Sequence, residues 1–237
     1  MPTLLIKLQG VLQSYGTATT FAYRTTNNQP TKSAIVGFLS AALGYQREDP
    51  RIAELAKLPT AIRIDQSGET LQDFHMIHQV NVQQTRNAKS WHKSSLFAKL
   101  PGGKRSWRDY LQDAIFIVAI QCNEKAAKKL DYAIHHPKFQ LYLGRKANTP
   151  AGPIQTWIKN IPAKEALKTL PWQGNDWYQK RQQLSKSVKC QLVGDNSIVS
   201  GPQLENINDF PTSFGPQKSF RYHAVSYDEI TCKIESE

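Results

Sequence analysis

Cysteine is scarce in this sequence. The three residues, Cys122, Cys190 and Cys232, are odd in number, far apart and in no Cys-x-x-Cys pair. That spacing offers no readable zinc site, so the thiols are expected as small buried apolar side chains or surface groups. No apolar run approaches the roughly 20 residues of a membrane span, and no membrane association is expected. Met1 to Leu12 alternates apolar and polar residues, and Lys7 interrupts any signal-peptide core. The expected compartment is therefore a reducing cytoplasm.

Catalytic signatures are missing as well. Gly102-Gly103-Lys104-Arg105-Ser106 resembles part of a phosphate-binding loop, but that pattern needs Ser or Thr directly after the lysine, where Arg105 stands. Gly-x-Ser-x-Gly and His-Glu-x-x-His do not occur, and the acids form no metal-binding array. RNA cleavage through the 2′-hydroxyl needs only an acid, a base and charge stabilisation, which His, Tyr and Lys can supply. His92 beside Lys93, or His223 beside Tyr222, could be assembled into such a site. His75 and His78 lie in a strand pattern, where packing explains them. No spacing singles out a catalytic group, and neither metal nor cofactor is expected.

What the chain has is positive charge. Thirty Lys and Arg face 19 acids over 237 residues, a net +11. Such an excess suits a polyanionic partner, because neutralised phosphates release counterions, though it also serves solubility. A hydrophobic content of 40% is enough for a buried core.

Periodicity supplies the elements. Thr3 to Gln9 alternates as a strand, with Leu4, Ile6 and Leu8 on one face. Ser33 to Leu43 is small and apolar, suits a helix packed closely on a sheet, and meets a stop at Gly44. Pro50 to Leu58 gives a second short helix. Ala61 to Asp65 and Leu71 to Val80 read as strands joined around Gly68, and Ala114 to Cys122 as a central strand buried on both faces. Glu124 to Ile134 follows as a helix and Lys138 to Leu143 as another strand. The order suggests an α+β, modified ferredoxin-like domain related to RNA-recognition modules, with one strand in excess. From Ile154 a looser C-terminal extension is expected, with strands near Val188 to Val193 and Phe220 to Ser226.

The interval from Phe74 to Arg108 contains no Asp or Glu, seven Lys or Arg, and the aromatics Trp91, Phe97 and Trp107. A basic, aromatic-bearing excursion of this kind can project into nucleic acid, with cations on phosphates and rings on unpaired bases. An ordinary long surface loop would have the same appearance.

Four ordered blocks resemble the Cas-five (CasD) family, the guide-RNA 5′-handle subunit of type I Cascade. Leu8-Gln9-Gly10-Val11-Leu12-Gln13-Ser14-Tyr15-Gly16 is similar to the family's L-x-G-x-x-Q-[SA]-[WY]-G, with Tyr15 in place of the commoner Trp. Then come Pro30-Thr31-Lys32-Ser33, Gly37, Ala42-Leu43-Gly44 and Arg47. Asp73-Phe74-His75 and Trp107-Arg108-Asp109-Tyr110-Leu111-Gln112-Asp113-Ala114 flank the basic excursion, and Tyr142-Leu143-Gly144-Arg145-Lys146 closes the series. The remaining third matches more weakly, through Phe220-Arg221. The third block most resembles the type I-E branch, in which a separate subunit cuts the precursor. The resemblance therefore implies binding without cleavage; a related type I-C branch does cut RNA, through Tyr, Lys and His.

The implied fold is a single domain over 1–237, with a protruding thumb at about 79–106 and the extension from about 154. The implied RNA-binding residues are Gln13, Tyr15, Arg24, Thr31, Lys32, Ser33, Arg47, Lys104, Arg105, Arg108, Leu143, Gly144, Arg145 and Lys146. Thr31 to Ser33, at a helix start, could hold a phosphate on backbone N–H groups or simply cap the helix. Gln13 and Tyr15 could bond to and stack on bases. Gly144 could admit a close RNA backbone, or form a tight turn. Trp91, His92, Lys93 and Phe97 would contact partners from the thumb. Those partners are the crRNA 5′ handle, the Cascade backbone and large subunits and, through the assembled complex, target DNA.

Overall fold

The computed structural model describes residues 1–16, 22–77 and 104–235. Two sheets organise them. The larger has seven strands, and within it β1 (Thr3–Gln9) pairs antiparallel with β7 (Ile115–Gln121). Both faces of β1 and β7 are covered, because helices pack on either side of the sheet there. Leu4, Ile6, Phe116 and Val118 point into one core, and Leu5, Ile117 and Ala119 into another. The first core is closed by α1 (Lys32–Leu43) and by α3 (Glu124–His135), which buries Ala127, Leu130 and Ile134. The second is closed by α4 (Ala163–Thr169), through Ala163, Ala166 and Leu167. Each fully buried Leu, Ile or Phe contributes about 1.5–3 kcal/mol, so these two layers dominate the fold's stability.

β4 (Thr60–Gln66) flanks β7, and β8 (Thr156–Lys159) flanks β1, both antiparallel. The order β4-β7-β1-β8 is thus completed by helices α1 and α3, which follow β1 and β7 in the chain. Beyond β4 the same sheet continues through β9 (Ser187–Asp195), β11 (Ser219–Lys233) and β10 (Gln203–Ser213). The C-terminal third is therefore not a loose tail but three further strands of the main sheet. Short helices α2 (Arg51–Ala56) and α5 (Asp176–Arg181) complete the described elements.

The second sheet holds β2 (Leu12–Gln13), β3 (Tyr23–Arg24), β5 (Glu69–Ile77) and β6 (Lys104–Gln112). β5 and β6 form an antiparallel ribbon, with Phe74 opposite Trp107 and Asp73 opposite Arg108. This ribbon carries the base of the expected thumb; residues 79–103 lie outside the described residues.

One expected strand is absent from its place. Lys138 to Leu143 is irregular, because it serves the end of α1: the Lys138 and Phe139 N–H groups donate to the Ala42 and Ala41 carbonyls, both at 3.1 Å. The last turn of a helix leaves such carbonyls short of intrahelical donors, although the Ala41 carbonyl also accepts from the Gly44 N–H at 3.2 Å. The strand position beside β1 goes to β8 instead. Among the described residues, no helix is long and apolar enough to cross a membrane.

Arg63 on β4 is fully buried and joins the second core to the C-terminal third. It pairs with Asp65 through Nε at 2.6 Å and Nη2 at 2.7 Å, and also donates to the carbonyls of Leu167, Leu170 and Pro171. Burial opposes its charge, but the Asp65 carboxylate more than offsets that and pushes the guanidinium up from its ordinary value.

Candidate nucleic-acid interface

Helix α1 forms the floor of a cleft of about 920 Å³. Its N-terminus is set by Thr31, whose hydroxyl accepts from the Ala34 N–H at 3.2 Å, and its C-terminus by Gly44 in the left-handed region. Small residues Ala34, Gly37 and Ala41 keep this floor low. The walls come from residues 45–47, from the 139–146 loop and from the tip of the β10–β11 hairpin.

The cleft is electrostatically one-sided. Arg24, Arg47, Arg145, Lys146 and Lys218 line it, and none of its described lining residues is acidic. None of the salt bridges among the described residues involves these five cations. Phe139, Tyr142 and Phe220 add partly exposed rings, at 44%, 38% and 38%. Uncompensated cations beside open rings match single-stranded nucleic acid: phosphates for the former, unpaired bases for the latter.

Arg145 is the best-held cation. Its guanidinium lies 4.5 Å from the Tyr110 ring centre, and Nη2 donates to the Arg24 carbonyl at 2.8 Å. Nη1 is shielded from solvent and makes no hydrogen bond, as does Nε of Arg108 on β6. Such shielded donors are costly unless an acceptor arrives. The loop before Arg145 is pinned by Ser14 N–H to the Leu143 carbonyl at 3.1 Å and by Leu143 N–H to the Asn148 carbonyl at 2.7 Å. Gly144 is required there: its φ is +88°, and a Cβ would stand 1.7 Å from the Ser14 carbonyl oxygen.

Of the sequence-derived site residues, Arg24, Thr31, Ser33, Arg47, Gly144, Arg145 and Lys146 converge on this cleft, with Tyr15 at its edge. Four require correction. Tyr15 is 3% exposed and donates its hydroxyl to Gln13 Oε1 at 2.6 Å, while buried Gln13 donates to the Ala114 carbonyl at 2.6 Å. Burial pushes the Tyr15 phenol far up, and neither side chain is placed to stack on or read a base. Leu143 is buried in the first core.

Lys32 is the fourth. Its Nζ donates to Asp195 Oδ2 at 2.6 Å, to the Leu58 carbonyl at 2.7 Å and to Thr60 Oγ1 at 3.1 Å. Burial pulls its ammonium below the usual lysine range, with Asp195 and Asp209 opposing. The Lys32 N–H donates to Asp209 Oδ2 at 2.7 Å, so a carboxylate already occupies that helix end. The expected phosphate cradle on Lys32 is an internal ion network instead.

Arg105 and Arg108 lie on opposite faces of β6, as strand alternation requires. The side chain of Lys104 lies outside the described residues, as do Trp91, His92, Lys93 and Phe97. His223 does not line the cleft: it packs between Asp195 and Asp209, with Nδ1 3.1 Å from Asp209 Oδ1. No described His lines the cleft.

Sequence reasoning missed Tyr45, Phe139, Tyr142, Phe214, Lys218 and Phe220 as cleft residues. Tyr142 and Phe220 stood in the matched blocks, unassigned. Only the aromatic content near basic residues hinted at the others.

The fold and the cleft define an α+β protein with a cationic groove whose described lining carries no acid. Residues 3–228 match the family described as CRISPR-associated protein (Cas_Cas5), and the chain belongs to that family. It is 28% identical over 215 residues to the CRISPR system Cascade subunit CasD of Escherichia coli (strain K12), covering 84% of this chain and 90% of that protein. Among solved structures it resembles a chain of a CRISPR RNA-guided surveillance complex, with a TM-score of 0.73 and 24% identity over 98% of this chain and 91% of that one. A crystal structure of a Cas protein matches with a TM-score of 0.64 and 27% identity, over 98% and 95% of the two chains.

Proposed function

We propose that this protein is a non-catalytic subunit of a type I CRISPR surveillance complex, and that its cleft holds the repeat-derived 5′ end of the guide RNA. The observation that carries this reading is the cleft itself: five cations, three open rings and no acid among its described lining residues, on a chain of this family. The relative named as a Cascade subunit, matched over most of both chains, supports the assembly. The protein caps one end of a machine whose target choice comes from guide–target base pairing, serving antiviral DNA targeting.

Finer features belong to the same reading. The β1-α1-β4-β7-α3-β8 unit serves as a ferredoxin-like core, and residues 79–106 as a thumb that grips the neighbouring backbone subunit. Another surface meets the large subunit, and target DNA is reached only through the assembly. In this reading the cleft binds RNA without cutting it, as the resemblance to the type I-E branch implies.

Co-expression with neighbouring gene products and a CRISPR array tests this directly. The expected product is a stoichiometric complex containing this chain and mature guide RNA. A partner-free protein carrying random cellular RNA would overturn the assignment. Incubation of purified protein with repeat RNA in EDTA should give no cleavage; discrete cuts at the handle boundary would overturn the non-catalytic reading.

A further inference from the structure

We infer that the tip of the C-terminal β10–β11 hairpin is a stacking jaw, in which Phe220 receives one unpaired base and Lys218 the adjoining phosphate. The inference rests on the RNA-binding reading of the cleft and adds the residues that grip a base there.

An exposed phenylalanine alone means little, because protein surfaces carry many apolar atoms. Phe220 differs in how it is held. The hairpin is seated at its tip by the Phe214 N–H, which donates to the Arg47 carbonyl at 3.1 Å. The Phe214 ring packs over Gly37 of α1, where an added Cβ would meet it at 3.8 Å. Thr212 Oγ1 bonds the Ser219 carbonyl at 3.0 Å across the two strands. Further along β10, Asp209 caps α1 through the Lys32 N–H. The hairpin is thus bolted to the cleft floor at both places, yet Phe220 keeps 38% exposure in the cleft.

An uncovered ring on an anchored hairpin in a cationic cleft has one economical occupant. Peptide side chains could cover the ring, but they would leave the five cations without phosphates. A duplex keeps its bases stacked and paired, so it offers no free π-face. An unpaired base on a single strand satisfies ring and cations together, and stacking of this kind tolerates any base. Phe139 and Tyr142, on a separate wall, expose rings to the same cavity and extend the aromatic surface.

The test uses full-length protein and a labelled single-stranded RNA copied from the 5′ end of the co-purifying guide, with binding read by anisotropy. Phe220→Ala is expected to weaken binding roughly 5- to 100-fold, and Phe220→Tyr to retain most of it. Lys218→Ala should reduce the salt slope. An abasic nucleotide scanned along the RNA should, at one position, weaken wild-type binding by a similar factor. At that position Phe220→Ala should cost nothing further. Wild-type affinity for Phe220→Ala, or a Phe220→Ala loss that no abasic position abolishes, would overturn the jaw. If Arg145→Ala with Lys146→Ala still weakens binding in that case, the RNA-binding cleft stands and only the jaw falls. If wild type binds the RNA no better than it binds an acidic peptide, both readings fall.

Discussion

Arg145 stacks on Tyr110 while its Nη2 is tied to the backbone of Arg24. The guanidinium is therefore oriented before any ligand arrives, with Nη1 left shielded and unbonded. Arg145→Ala with Lys146→Ala should lower affinity for the guide end and reduce the salt slope by up to about 1.4, at about 0.7 per lost phosphate contact on a single strand. Arg145→Lys should recover charge but not the stacked, forked geometry, and so restore little. Titration at several salt concentrations checks both outcomes.

Gly144 should be irreplaceable for a local reason. A side chain there meets the Ser14 carbonyl and must hold a left-handed backbone. Gly144→Ala is expected to lose about 1–3 kcal/mol from the backbone conformation alone. RNA affinity should fall with it, since the same turn aims Arg145. Urea unfolding and RNA titration on the same preparation report the two losses.

Lys32 separates structural charge from ligand charge. Lys32→Met leaves the partly buried Asp195 carboxylate without its ammonium partner and the buried Asp209 without a nearby cation, which is expected to cost up to about 3–5 kcal/mol. Any variant that remains folded at low temperature should keep the wild-type salt slope, because this ammonium meets no phosphate. A slope reduced as much as by Arg145→Ala would return Lys32 to the RNA-binding set.

Arg63 should matter for stability and not for RNA. Arg63→Met leaves the Asp65 carboxylate buried without its cation and removes the donor to the Leu167 and Leu170 carbonyls, at a cost of about 3–5 kcal/mol. Double replacement with Asp65→Leu should recover part of that loss, since removing both members of a buried pair is often far milder than removing one. Denaturant midpoints of the single and double variants form the check.

By itself the sequence determined whatever depends on neighbours along the chain. The alternation of β1, the apolar run of β7, a cap at Thr31 or Ser33 and the Gly44 stop were all readable, because each is a local matter of period or backbone conformation; the folded chain uses Thr31. The excess of basic residues and the family blocks were readable too. Tertiary structure decided which block residues face outward. Lys32 looked like a phosphate ligand at a helix start; it is buried because Asp195 and Asp209, 163 and 177 residues away, reach that helix end. Tyr15 looked like a stacking platform until β7 placed Phe116 against it, with ring centres 6.1 Å apart. Lys138 to Leu143 had strand composition, but its N–H groups went to the end of α1, a demand invisible in its own residues. The cleft likewise exists only because the C-terminal hairpin folds back to residues 45–47. Local periodicity assigns a residue to a face; which faces stay open depends on partners far along the chain, and only the folded structure supplies those.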